Sequence, residues 1–254
     1  MSKSAVTIGL DFLSRELKKA KLCDNTKPIV DAINDLKNRK DPAGYWGYNV
    51  QKLVFNKIDT PRGTMPNNIK SIQIALSVEI HEQGFKNNEI YNPIIVDFRK
   101  GIEKNYNFSI EISGYSEQNK VISHWHLDFD GNEKNEYIHP DFHLTFGGNA
   151  MKADGEDENQ AFGKVLILPS PRLPYPPMDA ILGIDFIIQN FVQKSVVSNL
   201  INNSQYKQAV KSSQERLWRP YMLALANHWC AFKYCRHFDT DNSLSNKYYP
   251  TLIK

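Results

Sequence analysis

From Ser71 the chain alternates, with Ile72, Ile74, Leu76, Val78 and Ile80 on one side and Gln73, Ser77, Glu79 and His81 on the other. Successive strand side chains point to opposite faces, so this pattern predicts a strand with one dry and one wet face. Phe108, Ile110 and Ile112 against Ser109, Glu111 and Ser113 repeat it. So do Trp125, Leu127 and Phe129, and then Phe142, Leu144 and Phe146. Ile94 to Phe98 and Val165 to Leu168 read as more fully buried strands. Short strands with hairpin-length links predict an antiparallel meander of five or six strands, and helices must cover its dry face.

The flanks carry the helical period. Phe12, Leu13, Leu17 and Ala20 recur at helical spacing between Ser4 and Leu22, and a second helix is predicted from Ile29 to Lys37. Asp24, Asn25 and Thr26 offer capping oxygens before the second. The stretches DPAGYWGYN and TPRGTMPNN read as turn-rich loops. After the proline-rich PSPRLPYPPMD come a strongly apolar helix from Asp179 to Leu200 and another from Ser204 to Phe238, with a bend at Pro220. Pro176 and Pro177 suit a helix start, and Asp179 falls in the first turn, where negative charge is favoured. The predicted class is α+β in one domain over residues 1–254: a helical segment at 1–60, the sheet at 68–170 and covering helices at 176–240.

Composition narrows the setting more than the chemistry. With 41% hydrophobic and 23% charged residues, the chain is ordinary globular protein. A net charge of +3 neither demands nor excludes a polyanion, although residues 1–60 hold eleven Lys or Arg against seven Asp or Glu. Ala153 to Glu158, ADGEDE, is a local acidic loop. Cys23, Cys230 and Cys235 make an odd set without a paired framework, which fits reduced thiols in a cytoplasm. Asp11 and Arg15 interrupt any secretory h-region. The longest apolar segment, Met178 to Val192, contains Asp179, Asp185, Gln189 and Asn190 and is too short and polar to span a bilayer, so no membrane partner is expected.

Four of the seven histidines fall between His124 and His143, where an even spread would put about half a residue. This clustering is therefore not compositional noise. On the first strand His124, His126 and Asp128 share the wet face; on the second His139, Asp141, His143 and Thr145 do. A simple hairpin closed by GNEKNEYI sets Asp128 across from Asp141 and His126 across from His143, with facing Cβ atoms about 4.5 to 5.5 Å apart. A bulge would slip that register.

Three readings of the cluster stand side by side. The bland one is a solvated sheet face rich in His and Asp. In the second, His124, His126, Asp128 and His143 ligate a divalent metal ion, for which imidazole nitrogens and carboxylate oxygens are ordinary donors. In the third, paired histidines act as general base and acid on a phosphodiester, with Asp128 or Asp141 holding a ring in the useful tautomer. His143-Leu144-Thr145-Phe146 has the form seen in two-histidine phosphoesterases, but the second copy which that family needs is missing. Gly147 and Gly148 fit either a turn or a close backbone approach to phosphate.

Other groups are weaker. His228, Cys230, Cys235 and His237 are zinc-type residues, yet positions two apart on a helix diverge by about 200°, so a packing helix explains them better. Glu79, Glu111 and His81 would join the cluster if their strands neighbour it. Arg172, Arg216 and Arg219 are candidate phosphate contacts, with a snorkelling arginine as the alternative. Asp185 is either a satisfied core carboxylate or one aimed at the site.

The runs SHWHLDFD, HPDFHLTFGG and LPSPRLPYPPMDAILGIDFIIQNF resemble an uncharacterised bacterial family of unknown function, over about residues 60–235. That resemblance implies only that the three runs form one unit; it supplies no reaction, ligand or catalytic residue. The expectation is thus a phosphodiester-cleaving enzyme acting on nucleic acid, with a toxin or phage-defence role as a setting that fits. The competing expectation is a non-catalytic subunit that docks RNA or a partner protein on the wet face.

Overall fold

A computed structural model describes residues 3–39, 45–83, 106–117, 120–129, 140–148, 151, 172–228 and 248–251. The strands expected at Ile94 to Phe98 and Val165 to Leu168 lie outside these, as does the ADGEDE loop.

Helix α1 (Lys3–Lys19) buries Val6, Leu10, Leu13 and Leu17, the stripe its periodicity requires, and ends on Lys18 and Lys19, whose charges suit the negative end of the helix dipole. Helix α2 (Lys27–Asn38) opens with Pro28 in its first turn and buries Ile29, Ala32, Ile33 and Leu36. Of the three capping candidates, Asn25 acts: its Oδ1 accepts the Lys27 amide at 2.8 Å.

Strand β1 (Tyr45–Ile58) follows, so the expectation of a purely helical segment at 1–60 was wrong, and most of the supposed loop DPAGYWGYN is strand. Two register shifts, between Val50 and Leu53 and between Phe55 and Ile58, break the alternation. The buried positions therefore run Tyr48, Val50, Leu53, Phe55, Ile58 at spacings of two and three, which hides the strand from a period-two reading. Lys52 takes φ 52° at the first irregularity, and its amide donates to Ser77 Oγ at 3.0 Å.

The sheet is an antiparallel meander in the order β1, β2 (Ser71–Gln83), β3 (Tyr106–Tyr115), β4 (Lys120–Phe129), β5 (Phe142–Phe146), β6 (Leu173–Pro174). The β6 ladder emerges from the proline-rich link, and Pro174 is tolerated because it sits at an edge. Ile74, Leu76, Val78, Phe108, Ile110, Leu127 and Phe142 line the dry face, and one buried cluster joins them to residues of both the N-terminal and the C-terminal helices.

Helix α3 (Ala180–Phe191) lies on that face. Two core tyrosines fix its start: the Ala180 amide donates to the Tyr48 hydroxyl at 3.2 Å, and the Tyr106 hydroxyl donates to the Met178 carbonyl at 2.9 Å. Asp179 caps it, Oδ1 accepting the Leu182 amide at 2.8 Å. Gly183 lets α3 approach closely, since a Cβ there would sit 2.7 Å from Phe108 Cε2.

The single helix expected from Asp179 to Leu200 is two, because Val192 and Gln193 adopt extended dihedrals before α4 (Lys194–Asn202) begins. Asn203 then caps α5 (Ser204–Ser213). Pro220 does not stop the next run. Residues Gln214–Trp218 form a π-helical turn, with the Arg219 amide bonding back to Gln214, and α6 (Arg219–Asn227) continues beyond it. The wider turn accommodates a residue that has no amide proton to give. Among the described residues no helix is long and apolar enough to cross a membrane.

Candidate functional site

The register brings the polar-face residues into rows across the sheet. Asp128 on β4 lies between Asn107 on β3 and His143 on β5; His126 lies between Ser109 and Thr145; His124 faces Glu111. The expected pairs Asp128 with Asp141 and His126 with His143 are thus corrected by two residues. An even slip preserves the faces, so the polar sets still meet. The slip is fixed by the dry face, where Trp125 meets Phe146 and Leu127 meets Leu144, and by the ladder's last bond, Gly147 amide to His124 carbonyl at 2.8 Å.

Each ring is held differently. His124 Nδ1 lies 3.0 Å from the Gly147 carbonyl, and His143 Nδ1 lies 2.9 Å from that of Pro140. A carbonyl can only accept, so both rings carry a proton on Nδ1, and in the neutral ring Nε2 keeps the lone pair. His126 is turned the other way: its Nε2 is 3.2 Å from Asp128 Oδ2. Its opposite edge abuts Gly148, where a Cβ would sit 3.2 Å from Cε1, and Nδ1 is buried there. Gly147 at φ 95° and Gly148 at φ 88° make that turn possible. The His124 and His126 rings stack with centroids 5.5 Å apart and planes 29° apart. His126 and Asp128 keep 21% and 36% of their side-chain surface exposed, whereas His143 is buried.

The other expected site residues divide. Glu111 adjoins His124 but is engaged, accepting from Ser113 Oγ at 3.2 Å and lying 3.7 Å from Lys120 Nζ. Glu79 extends the Asp128 row through Asn107, while His81 is buried at the far edge opposite Gly47. Asp141 precedes β5, and its charge helps hold the buried Tyr248 hydroxyl protonated, so it belongs beside the aromatic cluster of Phe142, Tyr221 and Tyr248. His139, Cys230, Cys235 and His237 lie outside the described residues.

Arg216 is not at the site. It is buried in an ion pair with Asp179 and lies over the Trp46 ring, 5.5 Å from its centroid. Trp46 shares strand parity with Tyr48 and Val50, which places this group on the dry side. Arg219 is exposed at the start of α6. Asp185 accepts the Tyr206 hydroxyl at 2.5 Å rather than pointing to the histidines. Cys23 is no nucleophile: burial, reinforced by Asp24, pushes its thiol up to about 12.

Thr145 lies on the histidine face, opposite His126, and Arg172 adjoins the end of the neighbouring strand. The β5–β6 ladder pairs His143 with Pro174 and Leu144 with Leu173, and Arg172 lies just outside it. The sequence held no signal for this, since β6 is two residues long. Asn107 and Ser109 were likewise missed as neighbours because strand order is not encoded in alternation.

Among the described residues no three His, Cys, Asp or Glu side chains come together as a metal-ligand group, so the set His124, His126, Asp128 and His143 expected for a divalent ion is not assembled there. What is assembled is a pair of differently anchored imidazoles with a carboxylate on one. No protein-family model matches the chain, and no curated protein or solved structure matches it either.

Proposed function

We propose that the chain cleaves RNA phosphodiesters by acid–base chemistry, with His124 as base and His126 as acid. The observation that carries this is the opposed anchoring of two stacked rings: His124 fixed through Nδ1 by a backbone carbonyl, His126 held through Nε2 by Asp128. The first arrangement leaves a basic Nε2 in the neutral ring. The second sets a carboxylate beside the ring, where it would balance the charge of an imidazolium formed in the reaction.

RNA supplies the nucleophile such a pair needs. His124 Nε2 takes the 2′-hydroxyl proton, the 2′-oxygen bonds to phosphorus, and the bond from phosphorus to the 5′-oxygen breaks. His126, as an imidazolium beside Asp128, gives a proton to the departing oxygen. The products are a 2′,3′-cyclic phosphate and a 5′-hydroxyl, and the two rings exchange roles when water opens the cyclic ester.

The test is cleavage of a labelled oligoribonucleotide and its 2′-deoxy counterpart by the wild type, His124→Gln and His126→Gln. A loss of about 10² to 10⁴ in rate in each variant is expected, with no cut in the deoxy strand. Equal cleavage of the deoxy strand, or variants as active as the wild type, refutes the reading. RNA binding without cleavage by the wild type makes the face a docking surface instead.

A further inference from the structure

Thr145 is 3% exposed, and among the described residues its hydroxyl has no hydrogen-bond partner. A buried hydroxyl ordinarily finds one, so this donor stands ready for an acceptor that the described residues do not supply. Its neighbours indicate which acceptor. On one side His126 lies directly across the β4–β5 ladder. On the other the β5–β6 register, continued by one residue, sets Arg172 opposite. Opposed residues of antiparallel strands share a face, so His126 and Thr145 lie side by side, and the extended register sets Arg172 on the other flank of Thr145.

We propose that Thr145 and Arg172 form the phosphate-binding subsite beside His126, for the tetrahedral anion of a phosphodiester or of the cyclic product. The inference rests on the reading above and names the group that the site takes. Strands lie about 4.8 Å apart, so His126 and Arg172 stem from backbones about 10 Å apart, the span of one phosphate with a ring on one flank and a long side chain on the other. Arg172 is partly buried and, among the described residues, is committed to no carboxylate, unlike Arg216. Its planar fork holds two phosphate oxygens, and the Thr145 hydroxyl holds a third. Asp128 is the negative group on this stretch of β4, and it faces His126; Glu111, a row away, lies near Lys120.

The test is titration of the full chain with inorganic phosphate at constant ionic strength, followed by ³¹P line width and by the His126 ring proton shifts. Arg172→Gln is expected to weaken phosphate binding at least tenfold, and Thr145→Val about three- to tenfold. Arg219→Gln, which alters an exposed arginine elsewhere, is expected to bind as the wild type does. Thr145→Val should fold at least as stably as the wild type, because it removes a buried hydroxyl that no described residue satisfies; a clear loss of stability would give that hydroxyl a structural role and overturn the proposal. Unchanged phosphate affinity in both subsite variants also overturns it, while leaving the cleavage reading to the histidine variants. Arg172-dependent phosphate binding by a chain that cuts no RNA upholds the subsite and removes the nuclease.

Discussion

His126 Nε2 lies 3.2 Å from Oδ2 of Asp128, two residues further along the same strand. Alternation puts both on one face, and this spacing lets a short carboxylate reach back to the ring without any other element. Asp128→Asn keeps the size and removes the charge. Cleavage is expected to fall about 10²-fold, the lower part of the range for an acid–base group, because the imidazolium loses its counter-ion. Asp128 is about one-third exposed, so the urea midpoint should barely move. A large stability loss with unchanged activity would show that the carboxylate is structural.

The close approach of α3 to the sheet makes a second expectation. A Cβ on Gly183 would meet Phe108 Cε2 at 2.7 Å and Leu76 Cδ1 at 3.0 Å, both in the centre of the core. Gly183→Ala is expected to cost about 1 to 3 kcal/mol through overpacking, despite the better helix propensity of alanine. Equilibrium urea unfolding checks it, and a stabilised variant would mean that α3 rides further from β2 and β3.

What the sequence disclosed follows from what periodicity encodes. β2 to β5 were legible because each alternates over four or more residues with its apolar set complete. The shared polar face of β4 and β5 was legible for the same reason, although His143 and Thr145 on it are buried rather than wet. β1 was not, because its bulges shift the parity at Val50 and again at Phe55. The β4–β5 register was misjudged by two residues, because loop length alone does not fix it and Trp125 against Phe146 does. Arg216 was misplaced because a helix interior arginine looks like a surface one until its partner, Asp179, is brought in from 37 residues away.

That partner gives a third expectation. Arg216 and Asp179 are both buried, and Asp179 also accepts from Ser213 Oγ at 2.8 Å and caps α3. Arg216→Met leaves a buried carboxylate without its counter-charge and is expected to destabilise by about 3 to 5 kcal/mol. Adding Asp179→Asn should return part of that loss, since the stranded charge is gone while the amide oxygen still caps. A double variant as unstable as the sum of the singles would show that the two residues do not act on each other.

Alkaline pH supplies the last. Burial raises the Cys23 thiol from its ordinary 9.0 to about 12 and the Tyr221 phenol from 10.0 to about 12; burial also raises Tyr206, whose hydroxyl is further held by Asp185, and Tyr248. In each the folded state binds its proton more tightly than the unfolded chain does. Their stabilisation is therefore complete below the unfolded values and drains away as pH climbs from those values through the folded ones. The urea midpoint should hold level through pH 8, begin to fall near pH 9 as unfolded Cys23 ionises, and steepen above pH 10 as the phenols join. Cys23→Ala should flatten the curve between pH 9 and 10 and leave the steeper part in place. A midpoint that stays level from pH 8 to 11 would mean that these groups titrate in the folded protein as they do in water, and that the core around them admits solvent.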